Sequence, residues 1–239
     1  MKKFSILILL CCFTFSFTTI ATSQIYFEDD FDNVNESQEK WVALYGTWEF
    51  KDKEYHQKLN DANCMSVVAD DYWDEEWNEY TYEVRGNKIS GAEGFLIMFR
   101  CQGTMEPRGR NLKDHPPRMQ EQQRLEYWWN LGGWTNTTSK VESWGGVASP
   151  NTNHTINTNE WYNIKIVNTP TGYTLYLNDE KVGNTINDST RNGVGRIGVA
   201  TWHTIARYDD VLVYGPKGAL PVDPNGKIAT SWGLIKAGR

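Results

Sequence analysis

Two stretches of the chain carry the side chains best suited to chemistry. They run from Gly94 to Arg100 and from Gln123 to Trp134. Read with the period of two of a strand, Phe95, Ile97 and Phe99 share one face of the first stretch, and Leu96, Met98 and Arg100 share the other. In the second stretch Leu125, Tyr127 and Trp129 alternate with Arg124, Glu126, Trp128 and Asn130. A face of Arg, Glu, Trp and Asn makes a poor core. It suits a sugar, because a flat indole stacks on the apolar face of the ring while charged and amide groups bond its hydroxyls. Arg100, Arg124, Glu126 and Trp128 are therefore expected as the floor of a carbohydrate-binding sheet, with Asn130, Trp134 and Asn136 at its rim. Arg196, Gly198, Ala200 and Trp202 repeat the theme, the two small residues leaving room beside an indole. Trp202 and His203 are expected toward the adjoining edge, although their alternation keeps both from facing the ligand. The competing expectation is that these tryptophans fill an inter-sheet core.

Such a platform needs strands to hold it, and alternation runs from Ile25 to Tyr214. Thr81 to Arg85, Trp161 to Ile166 and Tyr173 to Leu177 all follow it, as half-buried strands do. Turn signals separate them at Asn168 to Gly172, at Asn178 and Asp179, and at Arg191 to Gly193. No amphipathic helix longer than two turns is expected. Strands at this spacing without helices between them imply an all-β, two-sheet antiparallel sandwich over residues 24–215. Gly103 to Met119, with Pro107, Pro116 and Pro117, reads as a long loop between strands. Residues 216–239 read as a linker and a C-terminal tail, either docking to a larger assembly or lying on the sandwich edge.

Composition narrows the partners. The 239 residues carry 24 Lys+Arg against 30 Asp+Glu, a net charge of −6, which argues against a nucleic-acid ligand. Eleven Trp and twelve Tyr exclude a disordered chain. Met1 to Ser23 has a basic start, a short apolar run and small residues at Ala21 and Ser23, the pattern of a secretory signal peptide. That run is shorter than a membrane span requires, so the mature protein is expected to be secreted, extracellular or periplasmic. Export would leave Cys64 and Cys101, either bridged or as two buried thiols. Sequons fall at Asn35, Asn136, Asn153 and Asn187. Glu28 and Asp30 near the first strand could meet Asp209 and Asp210 in the last, a set of oxygen ligands suited to a structural calcium. The alternative for these acids is solvation and turn capping. No other cofactor is expected.

The frame from Phe27 to Phe31, through Trp41 and Gly46 to Trp48, to Trp161 and Tyr162 resembles the concanavalin A-like lectin/glucanase superfamily, the LamG-like jelly rolls. Tyr173 to Leu177 and Gly195 to Gly215 continue the resemblance. The segments Gly91 to Ile97 and Tyr127 to Asn136 are similar to the β-sandwich module that accompanies some α-L-arabinofuranosidases, which implies a jelly roll associated with plant-type polysaccharides. The two ends also resemble the secreted sandwiches of the 3-keto-disaccharide hydrolase family. Laminarinase-like glycosidases of the superfamily place their carboxylates as Glu-x-Asp-x-x-Glu, and that spacing is absent here. Asp70 to Glu76 has the wrong order. Glu126 is the alternative catalytic acid or base, with Glu93 or Glu142 as its partner across the sheet. His56, His115, His154 and His203 lack metal-ligand spacing. The expectation is thus a noncatalytic carbohydrate-binding module recognising a polysaccharide or oligosaccharide on an aromatic-lined concave sheet. A glycoside hydrolase acting on a plant- or algal-type glycan, or a structural or adhesive surface protein, are the alternatives.

Overall fold

A computed structural model describes residues 24–102 and 125–218. Along the chain, β1 (Ile25–Asp29) leads through the seven-residue helix α1 (Val34–Lys40) to β2 (Trp41–Tyr45), β3 (Trp48–Lys51), β4 (Glu54–Gln57) and β5 (Cys64–Val68). Next come β6 (Tyr80–Gly91), β7 (Phe95–Gln102), β8 (Leu125–Gly132), β9 (Thr138–Trp144) and β10 (Thr152–Asn153). The last set is β11 (Trp161–Thr169), β12 (Gly172–Leu177), β13 (Glu180–Asn187), β14 (Arg196–Thr201) and β15 (Thr204–Tyr214).

These strands form two antiparallel sheets. The first runs β13-β12-β11-β6-β15-β4-β3, with β1 pairing on β15; the second runs β10-β9-β8-β7-β14-β5-β2. This is the expected sandwich. The three alternating segments lie in β6, β11 and β12, and the Asn178–Asp179 turn takes left-handed φ at both residues, as tight hairpins require. Between the sheets lies an aromatic core including Tyr82, Phe95, Phe99, Tyr127, Trp129, Tyr173 and Tyr208. Tyrosine hydroxyls reach the opposite sheet rather than remaining unpaired: Tyr82 donates to the Gly198 carbonyl and Tyr208 to that of Ala200. The last described turn closes on the start of the domain, where the Gly215 amide donates to the Gln24 carbonyl and Gln24 to that of Gly218.

The inner face of the second sheet holds Phe95, Ile97 and Phe99 of β7 and Tyr127 and Trp129 of β8, as alternation predicts. Its outer face carries a second, smaller apolar cluster: Leu44, Met65, Val67, Leu96, Met98, Cys101 and Ala200, with Val42, Trp128 and Trp202 packed against it. Cys101 on that face, where Arg100 was expected, marks a break in the period. Between the pairs Phe99↔Tyr127 and Gln102↔Leu125, β7 has two residues opposite the single Glu126 of β8. Arg100 takes the left-handed backbone of a β-bulge, φ 49°. The bulge turns Arg100 inward and Cys101 outward. Gly195 accommodates it from β14's side, since a Cβ there would lie 2.3 Å from the Arg100 carbonyl carbon.

Cys64 and Cys101 are both free and buried. Cys64 lies opposite Thr201 of β14 and Cys101 opposite Arg196, five residues apart on the strand between them. That offset alone is about 16 Å at the rise of a strand, far beyond the ~7 Å reach of a disulfide. Burial pushes the Cys64 thiol up to about 12, so it is an inert core group. Residues 1–23, the 103–124 stretch and residues 219–239 lie outside the described residues, and with them the expected signal peptide, the expected loop and most of the tail.

Candidate functional site

Cross-strand register defines the outer face of the second sheet. One row runs Glu142, Trp128, Met98, Gly198, Val67; the next runs Lys140, Asn130, Leu96, Ala200, Met65. Trp128 and Asn130 thus take the expected face. Trp202, two residues beyond Ala200, joins the apolar cluster beside them. His203 is exposed at φ 46°, its ring edge-on to Trp202 at 5.6 Å. The indole N–H of Trp128 is buried without a hydrogen-bond partner, as is that of Trp129 on the inner face.

At the Asn130 end of the sheet the chain makes an unusual turn. Trp134, Thr135 and Asn136 are three successive non-glycine residues with φ of 48°, 63° and 61°. Each such residue costs on the order of 1–2 kcal/mol, and strain of this kind concentrates where a protein holds a ligand-contacting side chain in place. Three contacts hold the turn. Asn136 donates its amide to the Ile156 carbonyl (2.9 Å) and accepts from the Ile156 N–H (2.8 Å). Gly133 lies against Asn130, where a Cβ would approach the Asn130 Oδ1 to 2.5 Å. Glu93, in the turn before β7, accepts the backbone N–H groups of Trp134 and Thr135. Burial raises the Glu93 carboxyl above the usual carboxylate range, and the like charge of Glu142 adds to it, against those two N–H groups and His203. The turn leaves the Trp134 ring 44% exposed, with the Lys140 ammonium 5.9 Å from its centroid.

At the other end of β9, Trp144 is 50% exposed and pairs in register with Glu126. Trp144, Glu142 and Lys140 alternate onto this face, a pattern present in the sequence from Lys140 to Trp144 but not used there. Lys140 and Trp144 complete the site beyond the residues expected from sequence, and Glu93, expected there as a partner of Glu126, lies at the turn instead.

Several expected site residues are not available on this face. Arg100 is fully buried between the sheets. Its guanidinium donates to the backbone carbonyls of Thr169 and Gly172 (both 2.9 Å), pairs with Asp188 at 3.3 Å and lies 5.2 Å and 5.4 Å from the ring centroids of Tyr127 and Tyr173. Asp188 is held below the ordinary carboxylate range: burial pushes it up, but hydrogen bonds from Thr190, Tyr127 and Val147 outweigh that. Asn136 is bound to the Ile156 backbone rather than presented at the rim. Arg124 lies outside the described residues.

Glu126 does lie on the outer face, 3% exposed, but away from Glu93. Glu93 lies beyond the Phe95↔Leu131 pair, five residues further along β8, so the two carboxylates are separated by more than about 15 Å. That exceeds the ~5–9.5 Å of glycosidase pairs. Glu142 is the nearer acid, diagonal to Glu126 across β8 and β9.

The four expected metal ligands are not gathered either. β1 does pair with β15, with Glu28 opposite Leu212. Asp210 and Asp209, however, face Arg85 at 2.9 Å and 3.6 Å, so a guanidinium already shares both carboxylates. Asp29, not Asp30, is the buried acid, accepting from Ser37, Trp41 and the Phe31 amide. Among the described residues no group of three or more His, Cys, Asp or Glu side chains is arranged to hold a metal ion. No helix among them is long and apolar enough to cross a membrane.

No family profile matches the sequence. An extracellular exo-α-L-arabinofuranosidase of Streptomyces chartreusis is 31% identical over 174 residues, which cover 71% of this chain and 18% of that enzyme. The chain thus spans less than a fifth of that relative's length. Among solved structures, the carbohydrate-binding module CBM66 from Bacillus subtilis superposes with a TM-score of 0.54 at 18% identity, covering 74% of this chain and 96% of the module. A prokaryotic β-1,3-1,4-glucanase (lichenase) derived from a mouse hindgut metagenome gives 0.52 at 12% identity, covering 80% and 98%. A galectin-like protein of unknown function from Bacillus subtilis gives 0.53 at 12%, covering 80% and 96%. The architecture is the concanavalin A-like jelly roll.

Proposed function

We propose that the chain is a noncatalytic carbohydrate-binding module of an exported protein, and that its ligand lies on the outer face of the second sheet. The observation that carries this reading is the exposure of Trp134, fixed by a strained turn, on the face that also holds Trp128, Trp202 and Asn130. Trp134 offers stacking area; Asn130, Glu93, Glu142 and Lys140 offer hydroxyl partners. The likeness to a carbohydrate-binding module and to part of an arabinofuranosidase supports it. These contacts need neither a cofactor nor a calcium ion. An open site of this type implies millimolar to micromolar affinity, roughly 4–8 kcal/mol.

The test is a glycan-array and polysaccharide pull-down on residues 24–239 beside Trp128→Ala and Trp134→Ala, with reducing-sugar release assayed in the same tubes. Retention that falls in both variants without product supports the module. Truncation at residue 215 is expected to leave retention unchanged; a loss would favour a docking role for the tail.

A second reading, glycoside hydrolysis, rests on Glu126 and Glu142. Diagonal neighbours on one face lie about 7–8 Å apart, a separation compatible with an inverting pair. Product release lost in Glu142→Gln would establish it in place of the module.

A further inference from the structure

The two half-exposed tryptophans of the outer face set the kind of ligand it takes. Trp144 is the last residue of β9 and points outward with Lys140 and Glu142. Trp134 enters the same face at the level of Lys140, 5.9 Å from its ammonium. From Lys140 to Trp144 is four residues of extended strand, about 13 Å, which is longer than a single sugar ring. Between the two indoles lie the exposed Glu142 and its register partner Trp128. Stacking surfaces therefore stand at both ends of a track along β9, with polar groups between them. We infer that the ligand is an extended oligosaccharide segment of several residues running along β9 and covering Trp134 and Trp144 together, rather than a single terminal sugar.

This inference rests on the carbohydrate-binding reading above. Two stacking sites joined by one ligand act with a high effective concentration, so affinity climbs with chain length until both are covered and then levels off.

The experiment is a titration of arabinan fragments from arabinose to the hexasaccharide, with parallel series of β-1,4-xylan and mixed-linkage glucan fragments. It uses the whole chain and its Trp134→Ala and Trp144→Ala variants, each checked for an unchanged thermal midpoint. In the series that binds, affinity is expected to rise from the monosaccharide to the longer fragments. Each variant is expected to lower hexasaccharide affinity by about tenfold, the upper range for one lost aromatic contact. A monosaccharide that binds as tightly as the hexasaccharide, or a Trp144→Ala variant that binds all fragments like the parent, overturns the extended track and leaves the module standing. Absence of binding in all three series together with no retention on the glycan array overturns both.

Discussion

The two faces of the second sheet use the same residue types to opposite ends. On the inner side Arg100, Asp188, Asn168, Tyr127 and Tyr173 form a closed set: Arg100 donates to Asn168, Tyr127 to Asp188, and Asn168 to the Asn78 and Gly193 carbonyls. On the outer side Trp128, Trp134, Glu142 and Trp144 stand along β8 and β9, with two rings half exposed. An arginine and aromatics therefore do not by themselves mark a binding face; whether the rings stay open to solvent does. The outer face of the first sheet makes the same point. There Trp161 looks like a platform, but Arg85 and Arg207 lie over it at 4.6 Å and 5.1 Å and are themselves paired with Asp210 and Glu54.

The sharpest way to separate the two faces is Arg100→Ala. Removing the guanidinium leaves Asp188 buried beside vacated carbonyls, and unfolding in urea is expected to show a loss of about 3–5 kcal/mol. A loss under 1 kcal/mol would mean that Arg100 is not locked in the core. Acid probes the same set from the other partner. Because the Asp188 pKa is lowered in the folded state, its stabilisation is present above the unfolded value of about 3.9 and fades as the pH falls through the lower folded value. The stability gap between the parent and Asp188→Asn is therefore expected to be widest near pH 6 and to narrow below about pH 4. A gap that does not change with pH would contradict the assignment.

Trp161→Ala probes the closed face of the first sheet. It removes two cation–aromatic contacts and is expected to cost about 1–2 kcal/mol while leaving polysaccharide retention unchanged. Trp134→Ala should do the reverse, changing stability by less than about 0.5 kcal/mol and weakening retention. The smallest effect is expected from Lys165→Ala, whose partner Asp179 is largely exposed at 3.0 Å: under about 0.5 kcal/mol by thermal unfolding.

Much of this architecture is legible in the chain because alternation is a local property. Trp161 to Ile166 and Tyr173 to Leu177 need one buried face, and a period of two states which residues form it. The same rule carried Trp128, Asn130 and Ala200 to the outer face. It failed at Arg100 because a bulge adds one residue and reverses every later side chain of the strand, and nothing around Phe99 signals it. The glycine that accommodates the bulge, Gly195, is distant in sequence. Asn136 failed for another reason: its partner, the Ile156 backbone, is set by the return of a loop rather than by spacing. The acids at Asp209 and Asp210 were correctly placed beside β1, yet Arg85 from a third strand reaches them first. Trp144 was legible from its alternation with Lys140 and Glu142, and Glu93's hold on the turn was not, since it depends on three left-handed residues in succession.

The most direct measurement of the central claim is a proton–nitrogen NMR spectrum of the indole N–H groups during titration with the retained glycan. The account predicts shifts at Trp128, Trp134, Trp144 and Trp202, with Trp161 unmoved. Shifts centred on Trp161, or confined to neither face, would contradict it.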